Sequence, residues 1–351
     1  MQLTLVLPNL LDIAPAALAL ADAPALSCLL ATTRAPDSRS DALLAIACET
    51  VGLAKQDDWP VAPWLARAAG IDVGTRYWLR AEPVTLDVGR DEVRLAGIVR
   101  DVDEDESAAL LSSLRSHFAS DGLEFVESDP GRWWIALEAP QQMASSAPDA
   151  ALGNPLAAHL PRGVDAPRWR RWQSEIQMLL FEHPVNRSRE KNGRPPINYL
   201  WVWGGGTLRP GDLTRMPGTV TSVFARTPWL CDLGRATGST VADPPGSWAA
   251  LRIARATSAL VWLDQFRPAA LKEQLAAFDA EWATPLQHAI DRREIALRLA
   301  LVGSATSLLF APRPRGALQR LRHRWSRAAP LSMQLAMFTD SSAGYRDNEL
   351  A

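Results

Sequence analysis

The side chains with the most chemical potential in this 351-residue chain lie in one stretch. It runs from His183-Pro184-Val185-Asn186 through Arg189, Gly193, Arg194 and Asn198 to Trp201-Val202-Trp203-Gly204-Gly205-Gly206. Loop chemistry here feeds a buried strand. Arginine offers a planar fork of donors that matches phosphate or carboxylate, so the stretch reads as a candidate anion-binding segment. Gly204-Gly205-Gly206-Thr207 after a strand invites a phosphate-loop reading, because consecutive glycines let backbone N–H groups approach an anion. No Lys-Ser/Thr pair follows and no GxGxxG is present, so a tight turn after a core strand is the favoured reading.

Other patterns are weaker. His117, His159, His183, His288 and His323 are scattered without an HxH or HExxH spacing, and Cys28, Cys48 and Cys231 form no CxxC. No metal site is expected from spacing. The acidic run Asp101, Asp103, Glu104, Asp105, Glu106 lacks the glycine and terminal glutamate of a calcium loop, and places negative charge at a helix start instead. Arg313, Arg315, Arg320, Arg322, Arg324 and Arg327 share an acid-free stretch with the apolar stripe Leu318, Leu321 and Trp325. A basic amphipathic helix there can meet nucleic acid, an anionic surface or an acidic protein, or simply pack by its stripe.

The elements that must position these residues follow from periodicity. Leu3–Leu7 reads as a buried strand broken at Pro8-Asn9, followed by an Ala/Leu-rich helix over 15–30 and a second helix, capped by Ser40-Asp41, running to Glu49. Between Tyr77 and Leu137 the strand-like pieces 78–86, 93–98, 123–126 and 132–137 surround a helix over 106–119. Residues 141–155 read as an Ala/Ser/Pro-rich surface linker, and Trp169, Trp172, Ile176, Leu179 and Leu180 follow at helical spacing. Strands over 259–264 and 296–302 flank a long helix over 269–292, and the last 25 or so residues read as a loose tail. The expectation is an α/β protein with a mostly parallel sheet flanked by helices and an inserted α+β subdomain. Its parts would be 1–76 (core, first part), 77–160 (insert), 161–312 (connecting helix, signature loop and core, second part) and 313–351 (basic helix and tail).

Composition sets the outer bounds. Hydrophobic residues make up 47% of the chain, enough for a sizeable core, and 37 basic against 39 acidic side chains give a net charge of −2. No whole-protein field draws it to nucleic acid. Lys55, Lys191 and Lys272 are the only lysines, so 34 of the 37 basic residues are arginine, a bias that a GC-rich genome also produces. Three widely spaced cysteines in apolar surroundings, no basic leader and no membrane-length apolar run lead to the expectation of a cytoplasmic protein.

The His183–Gly206 segment resembles the central signature of archaeal-type, cofactor-independent phosphoglycerate mutases, members of the alkaline phosphatase superfamily. It is more similar still to bacterial RpfE-type regulatory proteins, which share that signature. Trp78-Leu79-Arg80-Ala81-Glu82-Pro83-Val84-Thr85-Leu86, Gly131-Arg132-Trp133 and the stretch from Phe278-Asp279 to Leu286 extend the resemblance over most of residues 1–303. It implies an alkaline-phosphatase-like core in which Ser40 stands where the nucleophile would, although Ser40 also serves as a plain helix cap. It further implies a two-metal site, and here the chain departs from the pattern. Leu7-Pro8-Asn9 replaces a Gly-Asp-Gly, no Asp-Glu-Ala-Gly-His loop follows Asp264, and Gly303-Ser304 stands where an Asp-His pair is expected.

Three functions are therefore weighed. The first is a catalytically degenerate, regulatory or metabolite-binding relative of the mutases with no cofactor, in which Arg80, Arg132, His183, Asn186, Arg189 and Asn198 hold a phosphorylated small acid. For each arginine the alternative is an ordinary salt bridge. The second is an active mutase holding divalent Mn or Zn, and the third is a partner- or nucleic-acid-binding regulator acting through the arginines from Arg313 to Arg327.

Overall fold

The structure, a computed structural model, describes residues 1–337 apart from 20–21, 34–35, 40–41, 90–91, 214–219, 265, 304–305 and 317–328. Ser40, Asp41, Ser304, Arg320, Arg322, Arg324, Arg327 and the tail lie outside the described residues. The chain folds as two compact units, Met1–Val51 with Gly218–Ala351, and Gly52–Pro217. Strands β1 (Gln2–Leu7) and β2 (Asp37–Arg39) open the first unit. Strands β3 (Tyr77–Val88), β4 (Val93–Ile98), β5 (Glu124–Asp129), β6 (Arg132–Leu137) and β7 (Tyr199–Thr207) belong to the second. The first unit resumes with β8 (Ser222–Phe224), β9 (Thr240–Ala242), β10 (Ser258–Trp262), β11 (Ala296–Val302) and β12 (Ser307–Phe310).

The first unit is a seven-stranded sheet in the order β2-β12-β11-β1-β10-β8-β9. β1 lies parallel between β10 and β11, with Leu5 opposite both Val261 and Leu299, and β8 and β9 extend the parallel part. Among the described strands of this sheet, β12 and β2 alone form antiparallel pairings. Strands buried on both faces need nearly continuous apolar runs, and β1 and β10 supply them. The helices Pro24–Ala31, Leu271–Phe278 and Thr284–Asp291 pack Leu26, Leu29, Leu275, Phe278, Leu286 and Ile290 into the same core as Leu3, Leu5 and Leu299. The expected α/β class with a mostly parallel, helix-flanked sheet is what forms.

The helix expected over 269–292 is interrupted by a π-helical turn at Asp279–Ala283. Asp279 accepts the backbone N–H groups of Ala25 (3.1 Å) and Leu26 (2.8 Å), so a carboxylate from one helix caps another whose own N-cap, Ala23, has no side chain to do so.

The second unit is an antiparallel sheet in which β3 pairs with β7 along one edge and with β6 and β4 along the other, β5 closing beyond β6. One face carries Leu79, Ala81, Trp133, Ile135 and Val202, packed on the helices Glu104–His117 and Ala166–Phe181 through Leu110, Leu111, Leu114, Trp169 and Ile176. The first of these helices starts as its sequence dictates. Asp103 caps it by accepting the Glu106 N–H at 2.8 Å, and Glu106 returns a carboxylate to the Asp103 N–H.

The insert is wider than 77–160. Helix Val61–Ala68 packs on β7 and β3, and the signature strand β7 is the direct partner of β3, so both flanks join the second unit. The stretch 141–155 is not a loose surface linker. Gln141, Met143, Ala147 and Ala151 are buried, and the stretch bridges to β4 at Leu95 and to Arg162.

Candidate functional site

The glycines of the signature are strand residues with a packing task. A Cβ on Gly205 would lie 2.0 Å from the Tyr77 hydroxyl, and one on Gly206 would lie 2.3 Å from Pro60 Cβ. Gly204 adopts φ +71°. The three glycines let β7 run against Val61, Tyr77 and Pro60.

The backbone donors of Gly204 and Gly205 go to side chains of the same unit. The Gly204 N–H donates to Ser145 Oγ at 2.9 Å, the Ser145 hydroxyl donates to Asp58 Oδ2, and the Gly205 N–H donates to that same oxygen at 3.2 Å. Asp58 also accepts the Trp59 and Ser145 N–H groups, at 2.8 and 3.1 Å. Gln56 brackets Thr207, accepting its N–H and donating to its carbonyl. Full burial pushes the Asp58 carboxyl up to about 6 against the opposing pull of these four hydrogen bonds. Sequence reading passed over Asp58. Its one local signal is an acid placed directly before Trp59-Pro60 and a wholly buried helix start.

The polar heads of the His183–Asn198 segment are held by the fold. Asn186 donates to the Leu180 and Ile197 carbonyls and accepts the Ile197 N–H, and Asn198 accepts the Leu86 N–H and donates to the Leu86 carbonyl. Arg189 is fully buried and makes four hydrogen bonds, to the Pro195 carbonyl, the Asp101 carbonyl, Asp101 Oδ1 (3.0 Å) and Glu106 Oε2 (2.6 Å). Arg194 adds further bonds to Asp101 and Glu106. The acidic run at 101–106 is thus the counter-charge of the signature arginines. Arg189 and Arg194 hold the Asp101 carboxyl below the usual carboxylate range despite some desolvation.

His183 caps the helix Pro184–Lys191 by accepting the Val185 N–H at its Nδ1, while its Nε2 meets Ser113 Oγ at 3.0 Å. An acceptor Nδ1 leaves the proton of the neutral ring on Nε2, the reverse of what a base for serine needs. Burial lowers the His183 pKa, and the nearby Arg187 charge acts in the same direction. Arg132 lies half exposed, 3.9 Å from Asp129. Arg80 alone among these residues is a buried cation with an unpartnered donor: its Nη1 has no acceptor, while its Nε bonds Glu82 at 2.8 Å. Asn186, Arg189 and Asn198 are committed to backbone groups and carboxylates, while Arg80 on β3 and Arg132 on the neighbouring β6 belong to one sheet.

In the first unit, parallel strands put chemistry at their carboxyl ends. There β1 delivers Leu7-Pro8 and then Asn9 in the left-handed region, with Asp12 beyond; β10 delivers Leu263 and Asp264, and β11 delivers Val302 and Gly303. Gly303 lies so close to Asp12 that a Cβ there would be 2.9 Å from Oδ1. Among the described residues no group of three or more His, Cys, Asp or Glu is placed to hold a metal ion. Pro8 and Gly303 offer no side-chain ligand, and the described side chains there that could ligate are Asn9, Asp12 and Asp264. Of the basic patch, Arg315 is taken up by Asp291, which it meets at 2.6 and 3.0 Å and whose carboxyl it holds below the usual range. Arg313 is exposed.

No protein-family model matches the chain. Over 117 residues, 32% of this chain and 29% of the relative, it is 33% identical to a 2,3-bisphosphoglycerate-independent phosphoglycerate mutase of Methanothrix thermoacetophila. The chain is similar to phosphoglycerate mutases. A second mutase, from Methanosarcina mazei, is 26% identical over 193 residues, 48% of this chain and 49% of that protein. The matched region spans less than half the length of either relative. Among solved structures, the cofactor-independent phosphoglycerate mutase from Thermoplasma acidophilum aligns over 95% of this chain and 94% of its own, with 19% identity and a TM-score of 0.44. No described helix is long and apolar enough to cross a membrane.

Proposed function

We propose that the chain is a phosphoglycerate-mutase-like protein without metal-dependent phosphotransfer, acting in the cytoplasm in a regulatory role or as a binder of phosphorylated small acids. The carrying observation is the residue set at the carboxyl ends of β1, β10 and β11, where Pro8 and Gly303 stand at positions that the mutase signature fills with ligands. The similarity to mutases supplies the substrate class. The likeness of the His183–Gly206 signature to RpfE-type proteins supplies the regulatory part.

A single cationic group on a transferring phosphoryl is worth roughly 10³ to 10⁵ in rate, so a chain lacking the metal ligands turns over at least that much more slowly. Thermal-shift titration with 2- and 3-phosphoglycerate tests the binding part. A saturable rise in Tm with either acid supports it, and no rise with both acids removes it. The active-mutase reading is the opposite outcome of a turnover assay with added Mn²⁺ or Zn²⁺. Binding through the arginines from Arg313 to Arg327 would be salt-sensitive and lost on truncation after Pro312. The pairing of Arg315 with Asp291 removes one cation from that patch.

A further inference from the structure

Side chains alternate across a sheet, so the face of the second unit opposite its apolar core carries Trp78, Arg80 and Glu82 along β3. In register on either side of Arg80 stand Trp134 of β6 and Trp203 of β7. The Arg80 guanidinium lies over the Trp134 ring, 4.3 Å from its centroid. Glu82 takes one edge of the fork, through Nε at 2.8 Å and Nη2 at 3.5 Å. The other end, Nη1, is buried with no acceptor, and Nε1 of the Trp134 ring it stacks on is likewise buried with none. Arg80 is 6% exposed and Trp134 is fully buried. Buried donors without partners are uncommon in folded proteins, and two in one stacked pair call for a ligand that accepts without donating.

We propose that the Arg80–Trp134 pair is an oxyanion subsite, taking the phosphate or carboxylate end of a small acid through Arg80 Nη1 and Trp134 Nε1. The inference deepens the acid-binding reading above and rests on it for the ligand class. Oxyanion oxygens are acceptors only, which matches a site that offers only donors. The flat guanidinium held on an indole is pre-oriented, so little side-chain freedom remains to be lost on binding. Arg189 cannot serve this purpose, since its donors already close on Asp101, Glu106 and Pro195.

The test follows the Trp134 indole N–H by proton–nitrogen NMR of the full chain, the resonance being assigned by its loss in Trp134→Phe. Inorganic phosphate, acetate and 3-phosphoglycerate are titrated separately. A saturable movement of that resonance, weakened about tenfold or more in Arg80→Lys, supports the subsite. Movement with phosphate assigns it to the phosphate end, and movement with acetate alone assigns it to the carboxylate. No movement with any of the three, or equal movement in wild type and Arg80→Lys, overturns it. Should Arg80→Lys not fold, calorimetric titration of Trp134→Phe decides instead, unchanged affinity counting against the proposal. Movement with phosphate but no binding of 3-phosphoglycerate keeps the subsite and removes the metabolite reading. Binding of 3-phosphoglycerate with a still Trp134 resonance does the reverse.

Discussion

Replacing Asp58 with Asn should remove a pH dependence of stability whose sign is opposite to that of most carboxylates. Asp58 is wholly buried, and burial raises its folded pKa to about 6, against about 3.9 in an unfolded chain. The folded state therefore binds the proton more tightly than the unfolded state. Stability contributed by this group rises as pH falls through 6 and levels off below the unfolded value. The full swing is the pKa difference times 1.36 kcal/mol per unit, about 3 kcal/mol. Between about pH 7.5 and about pH 4.5, roughly 2 kcal/mol of it should appear. Other carboxylates act in the opposite direction, so the difference between wild type and Asp58→Asn is what isolates the group. Urea unfolding at the two pH values should show the wild type gaining those 2 kcal/mol relative to the variant on acidification. Equal pH dependence in both proteins would mean that burial and the four hydrogen bonds to Ser145, Trp59 and Gly205 cancel. A relative loss on acidification would mean that the hydrogen bonds outweigh burial, and either result refutes the reasoning.

The remaining predictions concern the signature and the helix cap. Arg189→Ala takes the buried guanidinium from Asp101 and Glu106, which keep Arg194, and should cost about 1–3 kcal/mol in urea unfolding, whatever its effect on ligands. Gly205→Ala drives a methyl group into the Tyr77 hydroxyl and should cost about 1–3 kcal/mol, a cost that Tyr77→Phe in the same background partly relieves. Asp279→Ala removes the cap on the helix Pro24–Ala31 and should cost about 1–2 kcal/mol, with faster amide exchange at Ala25 and Leu26.

Local pattern carried much of the fold. The apolar run Leu3–Leu7 became the central strand β1, and Asp103 with Glu106 started their helix through a capping box. These features depend on residues within one turn or one strand. The extent of the insert was harder to read, because it depends on β7 choosing β3 as its partner across more than a hundred residues. The signature drew attention to the right segment for a partly different reason. Arginine, asparagine and histidine look free in a sequence, yet Asn198 closes on Leu86, and Arg189 on Asp101 and Glu106, partners that no spacing reveals. Asp58 was hidden for the converse reason. An acid beside another acid, Asp57, reads as solvated until Ser145 and Gly205 are brought to it. Of the 14 tryptophans, Trp78, Trp134, Trp201 and Trp203 share one buried sheet face around Arg80, a clustering that only strand pairing creates.

The central claim is the loss of the metal-dependent chemistry, and metal content tests it most directly. Elemental mass spectrometry of the purified chain, after dialysis against buffer containing Mn²⁺ and Zn²⁺ and removal of loosely held ions, counts the ions retained per chain. The account predicts no stoichiometric metal, and two tightly held ions per chain would contradict it.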